Sequence, residues 1–136
     1  MAVNYNSATK TGRMAVVRDL IDSKTLAAAT GGGSAGSLVI GTSALSGATG
    51  VLATMTLPNP GFAESSGVLT LQGTPLATTA SAGGTAAKAE IRNNAGTVIV
   101  SGLTVGTSGT DIIVGTVTIT AGLGVTVSSG TITHAA

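Results

Sequence analysis

The chain has 136 residues, a net charge of +1, 21 glycines, no cysteine, and only Tyr5 and Phe62 as aromatics. That length predicts one domain, and the missing cysteines exclude disulfides and thiolate metal sites. The small net charge gives no footprint for nucleic acid. Mean hydropathy of +0.52 comes with apolar runs of two to four residues, far short of the ~20 that span a bilayer, so no membrane insertion is expected.

Charge is unevenly placed. The first 24 residues hold Lys10, Arg13, Arg18, Lys24, Asp19 and Asp22, and the rest hold only Glu64, Lys88, Glu90, Arg92 and Asp111. Gly, Ala, Ser, Thr and Val take their place. A soluble monomer normally covers itself with charge, so a surface of hydroxyls and methyls suits a protein that packs against protein. Disorder is excluded by frequent, patterned Val, Ile and Leu. With so few aromatics the core must be thin and aliphatic, and oligomerisation or docking would add burial.

In chain order, residues 7–22 are the one helical segment, with Met14, Val17 and Ile21 on one stripe, Leu20 beside it, and Arg18 and Asp22 as an i,i+4 pair. Leu26–Ala29 extend it or begin the linker. The start, MAVNYNSATK, has no apolar core of a secretion signal, so none is expected. Residues 1–30 are thus read as a helical arm. Residues 31–36, from TGGGSAG, read as a flexible linker, and 37–136 as a β-sandwich domain.

From Ser37 the period becomes two. Strands are expected at Ser37–Thr42 and Val51–Leu57, the latter ended by Pro58 and Pro60. Further strands are expected at Gly67–Gln72, Ala86–Arg92 and, after a turn at Asn93–Gly96, Thr97–Ser101. Asp111–Gly115, Thr116–Thr120, Val125–Ser128 and Thr131–His134 follow. Ala77–Gly84 reads as a loop of small residues. The fold class is mainly β, an antiparallel sandwich of about eight short strands with an N-terminal α-helix. Lys88, Glu90 and Arg92 share one strand face, opposite Ala87, Ala89 and Ile91. That charged face is either solvated or a partner contact.

Catalytic motifs fail on context. Gly31–Gly36 matches both G-x-G-x-x-G and G-x-S-x-G, but each needs strand, turn, helix, and here a helix precedes and a strand follows. His134, the only histidine, has no second ligand to complete a metal site. Asp19, Asp22, Glu64, Glu90 and Asp111 form no carboxylate pair. No phosphate-binding GK[ST] loop and no N-x-[ST] sequon occurs. No enzyme activity and no cofactor is therefore expected. Thr-x-Thr words lack the constant period of an ice-binding array and reflect β-propensity. Lys10, Arg13 and Arg18, with Lys24, are candidate contacts to an acidic partner or the polar side of a packed helix; Lys88, Glu90 and Arg92 join them as candidate interface residues.

One set of segments carries a resemblance: Tyr5…Lys10…Arg13-Met14…Val17…Ile21-Asp22, Leu38…Ile40-Gly41-Thr42, Val51-Leu52-Ala53-Thr54, Gly67-Val68-Leu69-Thr70-Leu71, Gly84-Thr85-Ala86-Ala87, Gly102–Gly109, Ile119–Gly122 and Ile132-Thr133-His134. In this order they resemble the head decoration, or cement, proteins of tailed bacteriophages, over nearly the whole chain. The resemblance implies a jelly-roll-like sandwich that binds the major capsid protein lattice, stabilises the head, and lies on the capsid exterior after synthesis in the host cytoplasm. It transfers no functional residue. Closed symmetry makes a homodimer the default and a trimer next. The competing expectation is a tail, collar or fibre component that binds a host surface such as a glycan, although an aromatic platform is scarce.

Overall fold

The computed structural model describes residues 6–21, 34–58, 61–65 and 67–133. Expectations resting on Tyr5, Asp22, Lys24, Leu26–Ala29, Gly31–Gly33, Pro60 and His134 lie outside the described residues.

The molecule is mainly β, sandwich-like, with one N-terminal helix. Helix α1 runs Ser7–Ile21. Asn6 caps it, since its Oδ1 accepts from the Thr9 N–H at 2.8 Å, satisfying one of the donors left over at a helix start. Met14 and Ile21 are buried, at 4% and 0% exposure, within the same cluster as the sheet residues. Val17 packs against that cluster. The helix rests on β3, β4 and β8.

The strands are β1 Ser37–Ser46, β2 Thr49–Thr56, β3 Phe62–Ser65, β4 Val68–Leu71, β5 Leu76–Thr79, β6 Gly84–Thr85, β7 Lys88–Arg92, β8 Val98–Gly106, β9 Ile112–Val114, β10 Thr118–Ile119 and β11 Gly124–Thr133. Nine form one sheet, in the order β2-β1-β7-β8-β9-β11-β4-β3 with β5 also on β11; β10 and β6 form a separate pair. Two long strands turn the path. β8 pairs with β7 through Val98–Thr104 and with β9 through Val105 and Gly106. β11 pairs with β5 through Gly124–Val127, with β9 through Val127–Gly130 and with β4 through Thr131–Thr133. Across the gap, the Ser81 N–H donates to the Leu52 carbonyl at 2.8 Å, joining the loop after β5 to β2.

Pairing is antiparallel except between β8 and β9, which are parallel. Only Thr107–Asp111 separates those strands, so the loop is tight, and its closure is local. Asp111 Oδ2 accepts from the Thr104 N–H and Oγ1–H at 3.0 and 3.1 Å, and the Asp111 N–H donates back to Thr104 Oγ1 at 3.1 Å.

Eleven strands replace the expected eight or so. β3 was hidden behind the proline pair, and β5 lies in the small-residue stretch read as a loop; both are extended because a neighbour completes their ladders. Conversely, β11 is one strand where two were expected. Gly130 reads as a turn, yet a Cβ there would sit 3.0 Å from Ile112 Cδ1 and 3.2 Å from Leu71 Cδ2, so glycine serves close packing inside a continuous strand. The turn at Asn93–Gly96 forms as expected. The Asn93 N–H donates to the Thr97 carbonyl at 2.9 Å, and Gly96 adopts φ 89°.

Gly36 marks a close approach of another kind. A Cβ there would lie 2.5 Å from the Arg92 carbonyl oxygen and 2.7 Å from that of Ile21, where the helix end, β7 and the start of β1 converge. Gly12, on the exposed side of α1, would meet nothing within 4 Å. The two glycines should therefore respond oppositely. Gly12→Ala is expected to stabilise by roughly 0.5–1 kcal/mol, and Gly36→Ala to destabilise by about 1–3 kcal/mol, both read by urea unfolding. In the same assay Ile21→Ala should cost about 2–5 kcal/mol, and a negligible loss would show that α1 is not part of the core.

Candidate interaction surfaces

The six candidate interface residues fall on two elements. On α1, Lys10 is half-buried and Arg13 exposed. Arg18 donates from Nε to Asp19 Oδ1 at 3.0 Å, with its Nη2 at 2.9 Å from the same oxygen. Asp19 is buried, and the pairing of Arg18 with Asp22 lies outside the described residues. On β7, Arg92 pairs with Glu90 instead. Arg18 and Arg92 are thus each engaged by an acid of their own element.

Strand β7 does not have the solvated face that its charge pattern suggests. It lies inside the sheet, between β1 and β8, and alternation sends Ala89 and Ile91 into the main core at 0% exposure. The opposite face holds Lys88, exposed, Glu90, only 8% exposed, and Arg92, half-buried. The Arg92 Nε and Nη2 donate to Glu90 Oε2 at 3.2 and 2.9 Å, and Nη2 also donates to the Gly47 carbonyl at 2.6 Å.

The cover over this face comes from the β1–β2 hairpin. Leu38 and Ile40 belong to the main core, whereas Val39 between them is buried at 1% outside that cluster, and so is Leu45 at 9%. Val39 is the register partner of Glu90. Pairing with β2 shifts between Ile40 and Gly41 and again before Ser46, and Leu45 folds back over Gly41. A Cβ on Gly41 would lie 2.7 Å from Leu45 Cδ1 and 2.6 Å from the Gly50 carbonyl oxygen. The hairpin tip is thereby drawn across the sheet, and Arg92 ties it down. Sequence reasoning missed Val39, Leu45 and Gly47, because nothing in their local pattern says that a turn folds over a strand 45 residues away.

On β3, β4 and β11 the outward residues form two cross-strand rows, Ala63–Thr70–Thr131 and Ser65–Val68–Thr133. Strands lie about 4.8 Å apart, so these six make a contiguous patch of methyls and hydroxyls. All are exposed except half-buried Val68, and none is charged. Glu64, between the two rows in sequence, is half-buried and accepts from the Gly67 N–H at 2.8 Å.

Among the described residues there is no group of three or more His, Cys, Asp and Glu placed to hold a metal ion, and no helix is long and apolar enough to cross a membrane. Comparison with protein-family models, with curated proteins and with solved structures returned no match.

Removing Arg92 would leave the Glu90 carboxylate covered and without its donors. Arg92→Met is expected to cost about 2–4 kcal/mol, whereas the double change Glu90→Leu with Arg92→Met should recover most of that loss, because no buried charge is left unpaired. Chemical unfolding of the three proteins checks this. Equal losses in the single and double variants would mean that the hairpin depends on the Gly47 bond alone.

Proposed function

We propose that this chain is a structural virion protein, a capsid decoration protein that binds the major capsid protein lattice and stabilises the phage head. The observation that carries the reading is the uncharged outer patch of β3, β4 and β11. Burying charge without a partner is the costly failure at an interface, and this patch has none to bury. Its groups gain little individually, but contacts repeated over a lattice add through multivalency. The sequence resemblance to head decoration proteins points the same way. In this reading the protein sits on the capsid exterior as a homo-oligomer, a dimer first by symmetry, after synthesis in the host cytoplasm.

Electron microscopy of virions that carry the protein tests this. The expected result is density spaced regularly over the head. Density confined to the tail, collar or portal vertex would overturn it in favour of an adhesion role. The patch is tested separately with Thr131→Asp. This exposed change should leave the β-sheet circular dichroism intact and weaken co-sedimentation with capsids at least about tenfold, since a charge would be stranded in the contact.

A further inference from the structure

Beside Glu90, on the outer face of β7, a concavity of about 280 Å³ is lined by Leu45, Lys88, Ala89, Glu90, Ser101 and Gly102. It exists because β8 bulges there. Ala89 pairs with Leu103 and Ile91 with Val100, so Ser101 and Gly102 together stand opposite Glu90, and Gly102 takes φ 74°. The bulge holds β8 off the carboxylate.

The polar groups at this place are incomplete. Both Arg92 hydrogen bonds go to Glu90 Oε2, and among the described residues no donor reaches Oε1. The Glu90 side chain is only 11% exposed, and a covered carboxylate oxygen is costly without a donor. Lys88 lines the same concavity, yet the ion pairs among the described residues are Arg92–Glu90 and Arg18–Asp19. Its ammonium therefore stands away from Glu90.

An occupant must offer a donor to Glu90 and an acceptor to Lys88, because a carboxylate only accepts and an ammonium only donates. Lys88 and Arg92 outweigh Glu90 by one positive charge, which disfavours a cation. An anion would be repelled by the Glu90 carboxylate lining the same concavity. A hydroxyl both donates and accepts, and adds no charge. Residues two apart on a strand are separated by about 7 Å, a span that two adjacent hydroxyls bridge with a hydrogen bond at each end. Leu45 supplies an apolar wall for the C–H face of a ring. A cavity of about 150 Å³ admits a benzene ring, so a concavity of about 280 Å³ has room for a hexose ring.

We propose that this concavity binds a neutral pyranose sugar, with neighbouring hydroxyls held between Glu90 Oε1 and the Lys88 ammonium. The inference is independent of the virion reading and is tested on the isolated chain. Nitrogen-15 amide spectra are recorded while the methyl glycosides of glucose, galactose and mannose are titrated separately into the full chain. At least one should give saturable shifts confined to residues 88–92, 101–102 and the β1–β2 tip. Lys88→Ala, an exposed change that spares the Arg92 clamp, should weaken that glycoside about tenfold, and Thr70→Ala on the other patch should leave it unchanged. Absence of saturable shifts with all three glycosides would overturn the proposal. So would saturation by acetamide in their place, which would assign the concavity to a peptide amide, or a Lys88→Ala protein that binds as tightly as the parent.

Discussion

Strict alternation of side chains along hydrogen-bonded ladders is the constraint from which the rest of this molecule follows. The core contains a single aromatic ring among the described residues, Phe62, with Leu, Ile, Val, Met and Ala around it. Such small side chains cannot fill a wide space, so the sheet has to curl closely on itself. β8 and β11 do this by each serving two neighbourhoods along their length. A slip of one residue in either would send Leu103 and Val105, or Val125, Val127 and Ile132, to the outside at once. Glycine at Gly36 and Gly130 belongs to the same economy of space, since each stands where another backbone or side chain comes too near for a Cβ.

Scarce charge is spent inside the molecule. Glu64 closes the β3–β4 turn, Asp111 closes the β8–β9 loop, and Glu90 with Arg92 holds the β1–β2 tip. Every acid of the β region thus has a structural contact within the chain. Arg92 differs from the other two closures in reach: it links β7 to a carbonyl 45 residues earlier, and so fixes tertiary structure where Glu64 and Asp111 fix turns. Such a clamp stabilises less than an apolar contact of equal size would, but it specifies where the hairpin lies.

Much of this architecture was readable in the sequence, and the part that was not has a common cause. The helix was legible because Met14, Val17 and Ile21 repeat at helical spacing, and β7 because Ala89 and Ile91 alternate with Glu90 and Arg92. Fold class followed from the strand period. What stayed hidden was anything decided by a distant partner. β3 and β5 have weak patterns and are strands because β4 and β11 complete them. Asp19 is buried, which its charge alone does not suggest. Lys88, Glu90 and Arg92 were picked out by alternating charge, but the hairpin that covers Glu90 left no local signal. The concavity was hidden for the same reason, since it needs both Leu45 from one hairpin and the Ser101–Gly102 bulge from another strand.

The two surfaces differ in the kind of recognition they can support. The patch on β3, β4 and β11 is broad and chemically uniform. It discriminates poorly by itself, and it suits an assembly in which a repeated partner supplies specificity through spacing. The concavity beside Glu90 is small and chemically directed, with an acceptor-only oxygen and a donor-only ammonium set on alternate residues of one rigid central strand. A site on a strand buried within a sheet is held in place by ladders on both sides, so its geometry does not depend on a mobile loop. The lone exception is its Leu45 wall, and that wall is carried by the hairpin which Arg92 secures. The residue that fixes the fold of the β1–β2 tip is therefore also the one that keeps the concavity's shape, and both of its bonds to Glu90 fall on Oε2.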